Sequence, residues 1–350
     1  MKKILYVGWI GFNNLGDEWM WRLFEESAEK YLDPQHYRVI PSLPGVDLQR
    51  FDDFDTVVLG GGSLLVPGYV DVAHRAAQQQ KQLVIWGSGY DTQVPVQFDA
   101  SGKLMTASFQ ESEKMGKMLR EIGEHASFFG VRGPLTHQYL QETGIGGKLF
   151  VSGDPGMLMT LPTLEASRDD QRPTIGINWG TAYNRIYGKN EAAVEDALAQ
   201  AAKTLIQDGK HMYLYTMWGP DREAIKRLYK KINAPQHTTL DLELHNHTEM
   251  MKRIGRFQAT INYKLHANIL SASAGVPFVC LAYRFKCLDY CYSMGLPEMA
   301  VTTNHPQLQQ EIVTLATEAV QERASIRERM AVQQKEMKEH LLKPFVHQLL

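Results

Sequence analysis

The chain has 350 residues, 44% of them hydrophobic and 22% charged, which is more than one hydrophobic core usually supports, so two domains of ordinary size are expected. Its 37 basic and 39 acidic residues leave a formal net charge of −2, which excludes a global field of the kind that gathers nucleic acid or anionic membrane; any anionic ligand must be held locally. Three cysteines, Cys280, Cys287 and Cys291, suit neither a disulfide framework nor a four-ligand zinc site and read as reduced core thiols.

The opening run Lys2-Lys3-Ile4-Leu5-Tyr6-Val7-Gly8 is too short and too soon broken for a signal peptide or a membrane span, and predicts a first strand. A cytoplasmic protein is expected, with peripheral membrane contact left open for a lipid-linked substrate. Further strands are predicted at Arg38 to Ile40, Thr56 to Leu59, Leu83 to Trp86, Ser127 to Phe129 and Leu149 to Val151. Between them the spacing predicts helices over Glu18 to Tyr31, Val70 to Gln80, Glu111 to Glu121 and Leu135 to Thr143. After Pro155 the text turns loop-like through Leu161-Pro162-Thr163 and Arg168 to Pro173, read as an interdomain linker. The pattern then restarts, with strands at Thr174 to Asn178, His211 to Tyr215, Thr239 to Leu240, Ala259 to Tyr263 and Phe278 to Ala282, and helices at Glu191 to Asp208, Asp221 to Ile232, Glu249 to Arg256 and Leu265 to Ala274. The stretch from Gln307 to Leu350 has helical spacing and is expected to pack back across the first domain.

Such alternation marks parallel sheets covered by helices on both faces. The expected domains are therefore two doubly wound, Rossmann-like α/β units, 1–165 and 173–305, with C-terminal helices over 306–350. This describes the GT-B type of architecture, with a site expected in the cleft between domains, and it does not settle chemistry.

In such sheets ligands bind beyond the carboxyl ends of strands. Here those ends carry Gly8 to Glu18, Gly60-Gly61-Gly62-Ser63, Gly87-Ser88-Gly89 and Ser152-Gly153-Asp154-Pro155. The spacing of Gly8, Gly11 and Gly16 is not the dinucleotide fingerprint, no acidic residue ends the second strand, and no P-loop occurs, which disfavours nicotinamide enzymes and P-loop nucleotidases. The glycines have a plain reading as tight turns, and Asp17 as a helix cap. The functional reading puts Asn14 or Asp17 against sugar hydroxyls.

In the second series a strand runs into Lys264-Leu265-His266-Ala267-Asn268, which places His266 in a first helical turn with a cation two positions earlier. His245, His247 and Glu249 look superficially like metal ligands, but a loop capped by Asn246 or Thr248 explains them better, and no metal is expected. Trp9, Phe12, Trp19 and Trp21 offer apolar faces for sugar rings, though Trp19 and Trp21 fit the core of their helix.

With Gly11-Phe12-Asn13-Asn14-Leu15-Gly16-Asp17-Glu18, Gly60-Gly61-Gly62-Ser63-Leu64, Gly87-Ser88-Gly89, Val131-Arg132-Gly133-Pro134-Leu135, Ser152-Gly153-Asp154-Pro155 and Lys264-Leu265-His266-Ala267 through Gly275-Val276-Pro277-Phe278 in order along the chain, the sequence resembles the polysaccharide pyruvyl transferase family. The resemblance implies a transferase of cell-wall or exopolysaccharide biosynthesis. It would move the pyruvyl group of phosphoenolpyruvate, a co-substrate and not a bound cofactor, onto two hydroxyls of one sugar in a glycan or lipid-linked saccharide. His266 then inherits the role of proton donor or phosphate contact. Lys264 stands where the family has arginine, which keeps the charge and loses the bidentate fork. The family carries an arginine soon after its first strand of the second domain, and here either Arg185 substitutes from the loop or that role is missing; Arg284 is the third candidate donor cation, with Gly60, Gly61, Gly62 and Ser63 also assigned to the donor. Asn14, Gly16, Asp17, Gly87 and Ser88 are assigned to the acceptor, and Asp154 or Asp17 to the hydroxyl proton. Two other readings stay open: a nucleotide-sugar glycosyltransferase, for which Glu298 is the one weak ribose-gripping candidate, and a non-catalytic glycan-binding protein.

Overall fold

The structure is a computed structural model that describes residues 1–12, 14–100, 102–105, 112–159 and 172–350. The linker expected at Leu161-Pro162-Thr163 and most of Arg168 to Pro173 falls outside the described residues. The chain divides into two compact units, Met1–Leu158 with Lys335–Leu350, and Met159–Gln334.

The first unit holds β1 (Lys2–Val7), α1 (Leu15–Tyr31), β2 (Tyr37–Pro41), β3 (Thr56–Leu59), α2 (Tyr69–Gln78), β4 (Gln82–Ser88), α3 (Glu113–His125), β5 (Phe128–Val131), α4 (Pro134–Glu142) and β6 (Leu149–Val151). The strands pair in parallel in the order β2-β1-β3-β4-β5-β6. Thr56-Val57-Val58-Leu59 is buried at every position, the signature of a central parallel strand covered on both faces. Its aromatic core joins Phe24 to Tyr6 and to Phe345 at 5.0 Å each, and to Trp86 at 5.1 Å between ring centroids. Phe345 belongs to the chain's last helix, and the Trp86 indole N–H donates to the Leu341 carbonyl at 2.8 Å.

The second unit holds β7 (Thr174–Asn178), α5 (Glu191–Gln207), β8 (His211–Tyr215), α6 (Asp221–Ile232), β9 (Thr238–Leu240), α7 (His247–Ile254), β10 (Ala259–Asn262), α8 (Leu265–Ser273), β11 (Phe278–Ala282), α9 (Phe285–Ser293), β12 (Ala300–Thr302) and α10 (Leu308–Gln321). This parallel sheet runs β12-β11-β10-β7-β8-β9. α11 (Arg323–Val346) begins in the second unit and ends in the first. Of the stretch 306–350, therefore, only Lys335–Leu350 groups with the first unit, while α10 packs on α5 and the second sheet. α9 and β12 had no counterpart in the sequence reading. α9 buries Phe285, Cys287, Leu288, Tyr290 and Cys291, so it lacks the polar face that marks an amphipathic helix, and β12 is three residues long.

In each sheet the order reverses beside the first strand, between β1 and β3 and between β7 and β10. At such a switch point the flanking connections diverge and leave a crevice at the carboxyl ends.

Candidate active site

A buried polar network marks the switch point of the second unit. The Asn178 side chain donates to the Tyr215 carbonyl at 3.1 Å, the Tyr215 hydroxyl donates to Asn262 Oδ1 at 2.8 Å, and Asn262 Nδ2 donates to Thr260 Oγ1 at 2.9 Å. Asn178 Oδ1 also accepts the Lys264 backbone N–H at 3.0 Å, so the ends of β7, β8 and β10 are tied together where Lys264 opens α8.

Two adjacent strands, β10 and β11, end in the same chemical series. One gives Tyr263-Lys264-Leu265-His266 and the other Tyr283-Arg284-Phe285-Lys286. Lys264 and Arg284 are the N-cap residues of α8 and α9, neither making a side-chain cap bond. Tyr263 and Tyr283 stack at 4.6 Å, with the Arg284 guanidinium 5.3 Å and the Lys286 ammonium 5.2 Å from the Tyr283 ring centroid. Four basic groups and two helix N-termini thus share one sheet edge, an arrangement that attracts a small polyanion. His266 is partly exposed at the second position of α8. Arg185 lies on the exposed loop after β7, 5.9 Å over the Tyr183 ring.

Lys264 is drawn further into the protein than a free anion receptor would be. Its ammonium donates to the Thr181 carbonyl at 2.5 Å and lies 3.2 Å from Asp221 Oδ1, with 16% of its side chain exposed against none of Asp221's. Asp221 Oδ1 also accepts the Thr181 N–H at 3.0 Å. On the other side of the same loop, Glu191 accepts from the Ala182 N–H, from Thr181 Oγ1 at 2.8 Å and from the Tyr263 hydroxyl at 2.8 Å. Burial pushes the Tyr263 phenol up, so it remains the donor in that bond. Burial likewise raises the Asp221 carboxyl, which Lys264 and the Thr181 N–H pull back only in part. A Cβ on Gly180 would lie 2.2 Å from Asp221 Oδ1. Gly180→Ala is accordingly expected to destabilise by about 1–3 kcal/mol through overpacking, read as a lower urea midpoint with an unchanged m-value.

The first unit gathers a different set. Asn14 caps α1 and accepts the Gly16 N–H at 3.2 Å. Asp17 is partly exposed, and its Oδ1 lies 3.2 Å from where a Cβ on Gly62 would sit. The Tyr6 hydroxyl is pushed up by burial, with the Asp17 and Asp154 carboxylates adding to the effect. Trp9 and Phe12 stand 42% and 53% exposed, their rings 5.8 Å apart, whereas Trp19 and Trp21 are core.

Several expected site residues turn out to hold the fold. Gly60, Gly61, Gly62 and Ser63, assigned to the donor, lie in the first unit. The Tyr6 ring fills the face of Gly60, and Pro155 fills those of Gly61 and Gly87, which leaves no open glycine surface there for a ligand. Ser63 Oγ accepts from the buried Arg132 at 3.3 Å. Ser88 is fully buried and donates to the Gly60 carbonyl at 2.5 Å, so its hydroxyl is not an acceptor contact. Asp154 is also fully buried, and its Oδ1 accepts the Gly156 N–H at 2.9 Å, making it the cap of the 3₁₀ turn Pro155–Leu158 and not an accessible base.

The histidine-rich loop behaves as a capped helix start, with Asn246 Oδ1 accepting the Glu249 N–H at 3.0 Å. Among the described residues, the carboxylate and imidazole groups that converge are Asp241, Glu243 and His245. His245 Nε2 is 2.8 Å from Asp241 Oδ2, which also accepts from the Tyr213 hydroxyl at 2.6 Å. Cys280, Cys287 and Cys291 are buried thiols that form no disulfide. Glu298 accepts from Arg329 at 2.6 Å, which occupies the one carboxylate considered for a ribose. No described helix is long and apolar enough to cross a membrane.

The polysaccharide pyruvyl transferase family model matches residues 14–284, most of the chain and both units. The chain belongs to the polysaccharide pyruvyl transferase family. This transferase is also similar in fold to S. aureus MnaA solved with UDP, at 11% identity over 99% of this chain and 97% of that one, with a TM-score of 0.64. A putative UDP-N-acetylglucosamine 2-epimerase from Listeria monocytogenes matches at 12% identity over 94% and 90% of the two chains, with a TM-score of 0.63. The UDP-GlcNAc 2-epimerase of Neisseria meningitidis, solved with UDP-GlcNAc, matches at 12% identity over 98% and 100%, with a TM-score of 0.59. At such identities the likeness concerns the fold alone. The sequence reading does not single out Lys286, and it marks Asp221 and Glu191 only as the first residues of helices. The repeat of Tyr, cation, apolar residue, cation after two consecutive strands was the signal for Lys286; nothing else local marked the two carboxylates.

Proposed function

We propose that this transferase moves the pyruvyl group of phosphoenolpyruvate onto two hydroxyls of one sugar in a cell-surface glycan or its lipid-linked precursor, giving a cyclic ketal and free phosphate. The observation that carries this reading is the doubled series Tyr263-Lys264-Leu265-His266 and Tyr283-Arg284-Phe285-Lys286 on neighbouring strands. A small polyanion needs several cations or helix ends in a partly dry site, where attraction is less screened. Arg284 and Lys286 are the cations for phosphate and carboxylate, and Arg185 adds a third from its loop. Lys264, already paired with Asp221 and Thr181, contributes its remaining donor and fixes the loop.

In the reaction His266 gives a proton to the methylene carbon of phosphoenolpyruvate, which leaves an oxocarbenium-like centre at C2. One sugar hydroxyl adds there and gives up its proton to water. Departure of phosphate with the C2–O bond's electron pair regenerates a cationic centre, and the second hydroxyl closes the ring with loss of its own proton. Within the first unit, the exposed Trp9 and Phe12 offer apolar faces of the kind on which sugar rings stack.

Thermal unfolding with phosphoenolpyruvate and, separately, with UDP tests the donor. A ligand at a hundred times its Kd adds about 2.7 kcal/mol, and phosphoenolpyruvate is expected to raise the Tm while Arg284→Ala and Lys286→Ala abolish the rise. A shift with UDP alone would replace this reading with the glycosyltransferase one.

A further inference from the structure

The loop after β7 does more than carry Arg185. It runs across the carboxyl ends of the sheet to the far edge, where the Tyr187 N–H donates to the Tyr283 carbonyl at 2.9 Å and the Tyr187 carbonyl accepts from Thr303 Oγ1 at 2.9 Å. Tyr187 is therefore bonded to the residue that precedes Arg284 and to the residue that follows β12. Beyond it opens a groove of about 640 Å³ within the second unit, lined among others by Asn190, Asn304, His305, Gln307, Gln309 and Gln310. That volume falls within the range of small-molecule sites.

The lining has a definite chemistry. It contains five side-chain amides and one imidazole, and among the described residues no Asp, Glu, Lys or Arg lines it. An ammonium would find no carboxylate there, and a phosphate or carboxylate would find no Lys or Arg, only the partial charge of the α5 and α10 N-termini at Asn190 and Gln307. An amide presents two donors and an acceptor from one rigid plane, which matches a ligand whose every group both donates and accepts, as sugar hydroxyls do. The Gln307 N–H donates to His305 Nδ1 at 3.2 Å, which places the neutral ring's proton on Nε2. The floor is also fixed in shape: Gly188 has φ +81°, and a Cβ there would approach the Asn304 Cβ to 3.0 Å.

We propose that this groove binds a neutral sugar unit of the glycan acceptor, next along the sheet edge from the cationic site that takes the donor. The role of that glycan as acceptor rests on the function proposed above; the groove's preference for a neutral saccharide does not. The charged and uncharged ends of one sheet edge would then sort the two substrates, the polyanion to Arg284 and Lys286 and the neutral sugar to the amides.

The test is NMR of the isotope-labelled full chain, following side-chain amide signals. The probes are the methyl glycosides of glucose, galactose, mannose, N-acetylglucosamine and N-acetylmannosamine, with glucose 6-phosphate and glucuronate as charged counterparts. At least one neutral glycoside is expected to shift the amides of Asn304, Gln307 and Gln310 saturably. Asn304→Leu or Gln307→Leu, both at exposed positions, should weaken that binding about tenfold, the loss of one to two hydrogen bonds. The proposal is overturned if no neutral glycoside moves these signals, if the shifts survive both leucine variants, or if the charged counterparts bind the groove more tightly. Phosphoenolpyruvate is titrated on the same sample: binding of sugar without phosphoenolpyruvate would sink the donor reading and leave the groove standing, and the reverse would sink the groove alone.

Discussion

Lys264→Met is expected to cost about 3–5 kcal/mol of folding stability, the usual penalty for stranding one member of a buried ion pair. The stranded group would be Asp221, whose side chain has no exposed surface and whose remaining partner is the Thr181 N–H. The intact pair is not for that reason a large net stabiliser. Burial holds the Asp221 carboxyl above its ordinary value even with Lys264 beside it. The folded chain therefore takes up a proton at Asp221 more readily than the unfolded chain does. Stability from this group is greatest in acid and is withdrawn as pH rises from the ordinary carboxylate range through the raised value. Urea titrations of wild type, Lys264→Met, Asp221→Asn and the double variant check both statements. The double variant should lose less than the sum of the singles, because no charge is left unpaired, and Asp221→Asn should lack the wild type's fall in stability across that pH window. Additive losses would mean that the two side chains act separately.

His266→Ala is the second large effect, expected to lower the rate of ketal formation by about 10²–10⁴, the typical contribution of a positioned general acid. Stability and phosphoenolpyruvate affinity should change far less, because the role proposed for His266 lies in the transition state. Phosphate release in single turnover, with phosphoenolpyruvate binding measured beside it, separates the two. A variant that transfers at the wild-type rate would remove His266 from the chemistry, and one that no longer binds phosphoenolpyruvate would recast it as a donor contact.

Most of the fold was readable because parallel strands buried on both faces appear as short apolar runs, and Thr56–Leu59, Leu149–Val151, Thr174–Asn178, His211–Tyr215 and Phe278–Ala282 begin and end where those runs do. α9 and β12 escaped, the helix for want of a polar face and the strand for its length. The cation-bearing ends of β10 and β11 were partly legible, since Lys264, His266 and Arg284 follow strands directly. What could not be read was which polar residues turn inward. Ser88 and Asp154 look like site residues in the sequence and are tied up inside the fold, and Asp221, at the start of α6, meets Lys264 only through tertiary structure. The glycine-rich ends misled for a similar reason, because the bulk that requires Gly60 and Gly87 comes from Tyr6 and Pro155, far away in the chain.

The passage of α11 from the second unit to the first bears on how the chain is made. Lys335–Leu350 completes a core whose other parts are all encoded before Met159. A ribosome must translate the whole of Met159–Gln334 before that segment emerges, a wait on the order of ten seconds or more at ~5–20 residues per second. During that interval the Trp86 indole N–H lacks its Leu341 acceptor, and Phe24 and Trp86 lack the cover of Phe345. The half that starts folding first is thus the half that finishes last, and its nascent form is the one that a chaperone would meet.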